Sequence, residues 1–166
     1  MIKVENVTKK FNDFTAIDNL NLEISEGEIF GLLGENGAGK TTTLRILATM
    51  LKPTQGKATV CGYDTVKDDA KVRENIGILF GGETGLYDRL TARENIEYFG
   101  ELYDMSKDEL KKEIEKVAEA LSMKEYIDKR VGTFSKGMKQ KVAFARSIIH
   151  NPKVLLLDEP TSGLDV

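Results

Sequence analysis

From Gly34 to Thr42 the chain reads GENGAGKTT: three glycines, then at once a lysine and a run of threonines. Glycines let a backbone fold so that consecutive N–H groups point at one spot with no side chain in the way. When such a loop opens a helix, the positive end of the helix dipole points at the same spot. Gly34, Gly39, Lys40 and Thr41 fit the spacing G-x-x-x-x-G-K-[ST], and Glu35, Asn36, Gly37, Ala38 and Thr42 complete the stretch. These groups suit a triphosphate and its cation. Backbone N–H groups meet phosphate oxygens, the Lys40 ammonium reaches the β- and γ-phosphates, and the Thr41 hydroxyl ligates Mg²⁺. A glycine turn that only capped a helix would not need the Lys-Thr pair.

A second stretch, VLLLDEPTSGLD from Val154 to Asp165, supplies acidic groups. Asp158 follows four apolar residues, which places it at the carboxyl end of a strand, where ligands lie in open α/β sheets. It is the candidate acidic partner of Mg²⁺, acting through water. Glu159, next along, is the candidate base for an attacking water. A solvated acidic pair at a strand end is the plain alternative, and the glycine loop upstream argues against it.

Strands and helices must hold these groups. MIKVENVT (1–8) and TAIDNLNLEI (15–24) alternate in polarity, as strands with one solvated face do. GEIFGLL (27–33) is an apolar run ending at the glycine loop, which predicts a buried parallel strand. Leu44, Leu47, Ala48 and Leu51 predict a helix that stops near Pro53. GKATVCG (56–62) reads as a strand, KDDAKVREN (67–75) as a short helix and IGILF (76–80) as a second buried strand. From Thr91 to about Tyr126 the chain reads as charged helix, with Leu110, Ile114, Val117, Ala118 and Leu121 on one apolar face. Another helix is predicted from near Ser135, with Met138, Val142, Ala145 and Ile149 on one side. VLLL (154–157) is the third buried strand. Alternating strands and helices imply a parallel sheet with helical cover, interrupted by a helical insertion over about 88–134.

Composition narrows the classes. With 166 residues, 40% of them hydrophobic, the chain is long enough for one domain with a real core. The net charge of −3 offers no basic field for nucleic acid. Cys61 is the single cysteine, so no disulfide framework is expected. The N-terminus has no apolar core region to make a signal peptide, and no apolar run is long enough to span a bilayer. Any membrane role is therefore expected to come through a partner.

These motifs together resemble the ATP-binding cassette (ABC) ATPases. FSKGMKQK (Phe134 to Lys141) is similar to the family signature LSGGQ. Ser135 and Gly137 match, while Phe134, Lys136 and Met138 differ. SGLD (Ser162 to Asp165) matches the loop after the catalytic glutamate, and VTKKF places Phe11 where the family stacks an aromatic ring on adenine. Phe14 competes for that role. The resemblance implies a P-loop NTPase (RecA-like) α/β fold with a parallel sheet core, an N-terminal antiparallel β subdomain and a helical insertion. It implies ATP and Mg²⁺ as ligands. It also implies a head-to-tail dimer with a second ABC ATPase domain, in which Ser135 and Gly137 face the γ-phosphate bound by the other cassette. Ser135 is also expected to cap its own helix.

Gly81 stands where the family usually has a glutamine that contacts metal and water, and Glu83 is near but not at the matched position. GGETGLYDRLT (81–91) is similar to the sodium-extrusion (Nat-type) branch. The expected function is the ATP-binding and hydrolysing subunit of an ABC transporter, powering export of an ion or small solute. It is expected to sit on the inner face of the cell membrane with separate membrane-spanning permease subunits, and without nucleic acid. Soluble ABC ATPases of ribosomes or DNA typically carry tandem cassettes or basic arms, and neither is visible. A nucleotide-sensing protein without catalysis fits Gly81 but not Glu159, and no guanine-reading N-K-x-D occurs. By family comparison the sequence reads as truncated after the SGLD loop. A helix, a strand and a γ-phosphate histidine would follow, so these residues alone are expected to be unstable and inactive. His150, the only histidine, is expected at a helix C-terminus, against the dipole.

Overall fold

The computed structural model describes residues 1–81 and 85–160. The chain divides into two compact units, Met1–Ile76 and Gly77–Val166.

The first unit is built on an antiparallel sheet in the order β2-β1-β3-β4. β1 (Ile2–Phe11) and β2 (Phe14–Ile24) form a hairpin that closes with Phe11 opposite Phe14, and β3 (Gln55–Val60) pairs with the other edge of β1. β4 (Tyr63–Asp64) returns along β3. Alternation sends Ile2, Val4 and Ile17 inward, and Ala58 and Val60 join them. Register shifts in β1 near Val7 are accompanied by left-handed Asn6 and, across the hairpin, Asn19. Asparagine tolerates that conformation better than most residues.

The helix predicted after the glycines forms as α1 (Lys40–Leu47) and packs on β2 and β3 through Thr43, Ile46 and Leu47. It ends earlier than the apolar spacing predicts, well before Pro53. Thr49 turns left-handed at φ 64°, its N–H reaches Ile46 O, and the Met50 N–H reaches Arg45 O at 2.9 Å. These two bonds satisfy carbonyls at the helix end and redirect the chain. α2 (Asp69–Asn75) follows and buries Val72.

The strand predicted over 27–33 is not formed. Ile29 is 100% exposed, Leu33 93% and Phe30 45%. Apolar composition lowers the cost of burying a strand, but a strand exists only when a neighbour takes its N–H and C=O groups. Among the described residues none pairs with this stretch.

β5 (Ile76–Leu79) and β6 (Val154–Leu157) make a separate two-stranded sheet. Their carboxyl ends lie together, with the Asp158 N–H donating to Leu79 O at 2.9 Å, so the strands run parallel. β6 buries Val154 and Leu156 but leaves Leu155 and Leu157 exposed. It is therefore covered on one face, not on both as its run of leucines predicts. The apolar run matches either situation, and the covering layer decides which face is solvated.

The helices of the second unit are α3 (Ala92–Leu102), α4 (Lys107–Ala120) and α5 (Lys136–Ile148). α3 and α4 each begin with a reciprocal capping box, Thr91 with Glu94 and Ser106 with Glu109. Each N-cap contributes about 1 kcal/mol by typical measures. Hydrogen bonds from the cap hold both glutamates below the usual carboxylate range, first from the Thr91 N–H for Glu94 and from the Ser106 hydroxyl for Glu109. The apolar faces meet in one cluster, with Ile96 from α3, Leu110, Ile114 and Ala118 from α4, Val142 and Ala145 from α5, and Ile149 just past it. Phe134 fills the same core and meets the Tyr126 ring edge-on at 5.2 Å.

A buried amide and a half-buried guanidinium tie the segment before α3 into this block. Asn95, wholly buried, accepts from the Tyr87 N–H at 2.8 Å and donates to the Tyr87 and Thr91 carbonyls. Arg146 of α5 donates to Gly85 O at 2.8 Å and lies over the Phe99 ring. Its burial lowers the guanidinium pKa from the ordinary value. His150 lies just past α5 and stacks on the Tyr103 ring, with centroids 3.7 Å apart. Among the described residues no helix is long and apolar enough to cross a membrane.

Candidate nucleotide site

The glycine loop runs directly into α1, with Gly39 as N-cap at φ 83°. A side chain there is excluded twice over. The backbone is left-handed, and an added Cβ would lie 2.4 Å from Ala16 O. The loop therefore abuts β2, two residues past the hairpin tip that carries Phe11 and Phe14. A turn closes between the Ala38 N–H and Glu35 O, and Gly37 is left-handed too, at φ 89°.

Lys40 lies back across this loop. Its ammonium donates to Gly34 O at 2.6 Å and to Glu35 O at 2.8 Å. A full positive charge is thus held against the loop carbonyls, beside the start of a helix with no acidic residue in its first turn. The cation and the helix dipole reinforce one another there, and an anion is what such a place favours. Thr41 and Thr42 occupy the same first turn, half-buried. Thr43, which the motif does not use, turns its hydroxyl back to Gly39 O at 2.9 Å and so stays with the helix backbone.

Phe11 and Phe14 face each other at the hairpin tip, 42% and 61% exposed. Neither is a core residue. The Lys9 ammonium lies 5.0 Å from the centroid of the Phe11 ring. An exposed ring at the tip of the hairpin on which Gly39 lies offers a face on which a base can stack.

The second unit carries the other candidate residues. Ser135 is the N-cap of α5, and its hydroxyl accepts the Met138 N–H at 3.2 Å. Gly137 lies in the first turn, half-buried. No acidic residue occupies that turn either. Asp158 leaves the end of β6 half-buried, and Glu159 is exposed with a left-handed φ of 45°. Gly81 lies against this pair. A Cβ added to it would come 3.0 Å from Asp158 O and 3.3 Å from the Glu159 Cβ. Ser162 to Asp165, and Glu83, fall outside the described residues.

The structure thus brings the Lys40 ammonium to the carbonyls of Gly34 and Glu35 and lays Gly39 against β2, two residues past the hairpin tip that carries Phe11 and Phe14. In the other unit it brings Gly81 to Asp158 and Glu159. One participant has no signal in the sequence. Gln140 of α5 donates from Nε2 to Pro160 O at 2.9 Å. Its place in FSKGMKQK is plain, but nothing local points from that helix to a turn twenty residues on.

The sequence profile of the ABC transporter family matches residues 17–162. The chain is 52% identical to the ABC transporter ATP-binding protein NatA of Bacillus subtilis, over all of this chain and 69% of that protein. It is 40% identical to the uncharacterized ABC transporter ATP-binding protein YhcH of the same organism, and there it spans 53% of the relative's length. Among solved structures it is similar to the ATP-binding cassette MJ0796 in a dimeric, post-hydrolysis state bound to ADP and Pi. That match has a TM-score of 0.85 and 34% identity, over 99% of this chain and 76% of that one. Another dimeric structure of the same cassette gives a TM-score of 0.86. The chain belongs to the ABC transporter family, and its fold is that of the family's ATP-hydrolysing cassettes.

Proposed function

We propose that this protein is the ATP-binding and hydrolysing subunit of an ABC transporter, powering export of an ion or small solute through separate membrane-spanning permease subunits. The observation that carries the reading is the Lys40 ammonium held in a glycine loop at the start of α1. The likeness to NatA supports the transport context. Residues 1–166 belong to a single cassette, with a helical subdomain over about 88–134, that works at the inner face of the cell membrane.

In this reading Gly34 to Thr42 wrap the phosphates, and Lys40 exchanges its loop carbonyls for phosphate oxygens. Mg²⁺ prefers hard oxygen donors and keeps waters and substrate phosphates in its shell. The Thr41 hydroxyl and the Asp158 carboxylate are such donors, and they would hold it. Glu159 takes the proton of the attacking water. A second cassette pairs head to tail, so that Ser135, Gly137 and the α5 N-terminus meet the γ-phosphate of the other site. The dimeric form of the MJ0796 cassette supports this arrangement. The capping bond from Met138 and a phosphate contact are compatible, because a serine hydroxyl both accepts and donates.

Fractionation of cells making the full protein tests the transport assignment. The protein is expected in the membrane fraction, co-purifying with a polytopic membrane protein that stimulates its ATP turnover. Recovery wholly outside the membrane fraction, with no such partner, would refute it. For the base platform, Phe11→Ala is expected to weaken ATP binding by about 1–3 kcal/mol, the scale of base–aromatic stacking. Titration with a fluorescent ATP analogue measures it. A loss in Phe14→Ala with none in Phe11→Ala would move the platform to the facing ring.

A further inference from the structure

We infer that Gln140 is a positioning residue for Glu159, holding from α5 the turn that carries the proposed base. The inference rests on the reading of Glu159 as base.

Glu159 has φ 45°. That left-handed conformation is uncommon for a residue with a Cβ, and such a residue stays there only where its surroundings fix the backbone on both sides. The upstream side is fixed by the Asp158 N–H bond to Leu79 O, which continues the pairing of β6 with β5. The downstream side is Pro160, which has no N–H to donate. Its carbonyl is the polar group the turn presents there, and Gln140 Nε2 donates to it at 2.9 Å. A carbonyl only accepts, so the amide nitrogen of Gln140 must face it.

Gly81 bounds the turn as well. Any Cβ on Gly81 would press on Asp158 O and on the Glu159 Cβ. The turn therefore lies against the bare backbone of Gly81 and is tied to α5 by one amide. The Glu159 side chain is left exposed between its two anchors. The helix that supplies the amide is the one capped by Ser135, five residues earlier. A single rigid element thus carries both the candidate γ-phosphate contact and the brace behind the candidate base.

The test is steady-state ATP turnover of the full protein with its membrane partner, for Gln140→Met, Glu159→Gln and the double variant. Methionine keeps the length and loses the donor. Gln140→Met is expected to lower kcat by roughly 10- to 100-fold, the scale on which misplacing a reacting group acts. KM for ATP should stay within about twofold, since the interaction bears on the chemical step and not on binding. Added to Glu159→Gln, the same change should cost nothing further, because a brace has no effect once its base is gone. Gln140→Glu, which also cannot donate but suits a wetter site, should show the same loss and covers the case in which Gln140→Met does not fold. Normal kcat in the folded Gln140 variants beside a dead Glu159→Gln overturns this inference alone. So does a further loss in the double variant as large as in the single one. Normal turnover of Glu159→Gln overturns the base assignment, and this inference with it.

Discussion

Glu159→Gln is expected to bind ATP normally and to hydrolyse it roughly 10²–10⁴-fold more slowly, the usual contribution of a general base. The amide has the size of the carboxylate but cannot take a proton from water. The side chain is exposed, so the exchange removes no core contact. Asp158 N–H to Leu79 O and Gln140 to Pro160 O remain to hold the backbone. With hydrolysis blocked and binding intact, ATP-bound dimers should accumulate. Phosphate release measures the first effect and size-exclusion chromatography with Mg-ATP the second. A variant that stays monomeric and turns over ATP at the parent rate would show that the base lies elsewhere.

Lys40→Ala removes the one side-chain cation shown bonded within the loop. Hydrogen bonds to charged groups contribute about 1.5–3 kcal/mol, so ATP affinity should fall by roughly 10- to 100-fold. Turnover should fall further, because charge on the γ-phosphate grows toward the transition state. Stability should hardly change. Among the described residues Lys40 bonds to Gly34 O and Glu35 O, exposed groups that water can satisfy when the ammonium is gone. Nucleotide titration, ATPase rate and melting temperature, measured together, separate these effects. Unchanged affinity with unchanged turnover would sink the assignment. Lys40→Arg is not expected to rescue it, since a planar fork does not fill the place of a compact ammonium.

The glycine loop is legible in the sequence because its chemistry is local. Loop, lysine, threonine and helix start are neighbours along the chain, and the 3.6-residue period of α1 follows at once. The same holds for β1 and β2 as strands, because polar and apolar residues alternate within each stretch of chain. Ser135 is recognisable as a helix cap from its neighbours alone, because an N-cap bonds only three residues ahead. Three elements differ from expectation. β6 is covered on one face only, because the covering layer and not its run of leucines decides that. Thr49, not Pro53, ends α1, through a left-handed turn that the apolar spacing runs straight past. Residues 27–33 have the composition of a buried strand and lie exposed.

The sequence by itself named the candidate groups for meeting a phosphate, a cation and a water, because those groups cluster in three short motifs. It determined helices too, whose hydrogen bonds close within a few residues. Tertiary structure alone decided what depends on a distant partner. Whether an apolar run becomes a strand rests on a neighbour to take its backbone bonds, and β5 with β6 found one where 27–33, among the described residues, did not. Whether Gly81 is a deficit or a fit rests on what approaches it, and the approach is Asp158 O and the Glu159 Cβ. That Gln140 braces the turn beyond Glu159 rests on α5 and the end of β6 arriving together. Such a meeting is a property of the packed chain and leaves no period in the sequence.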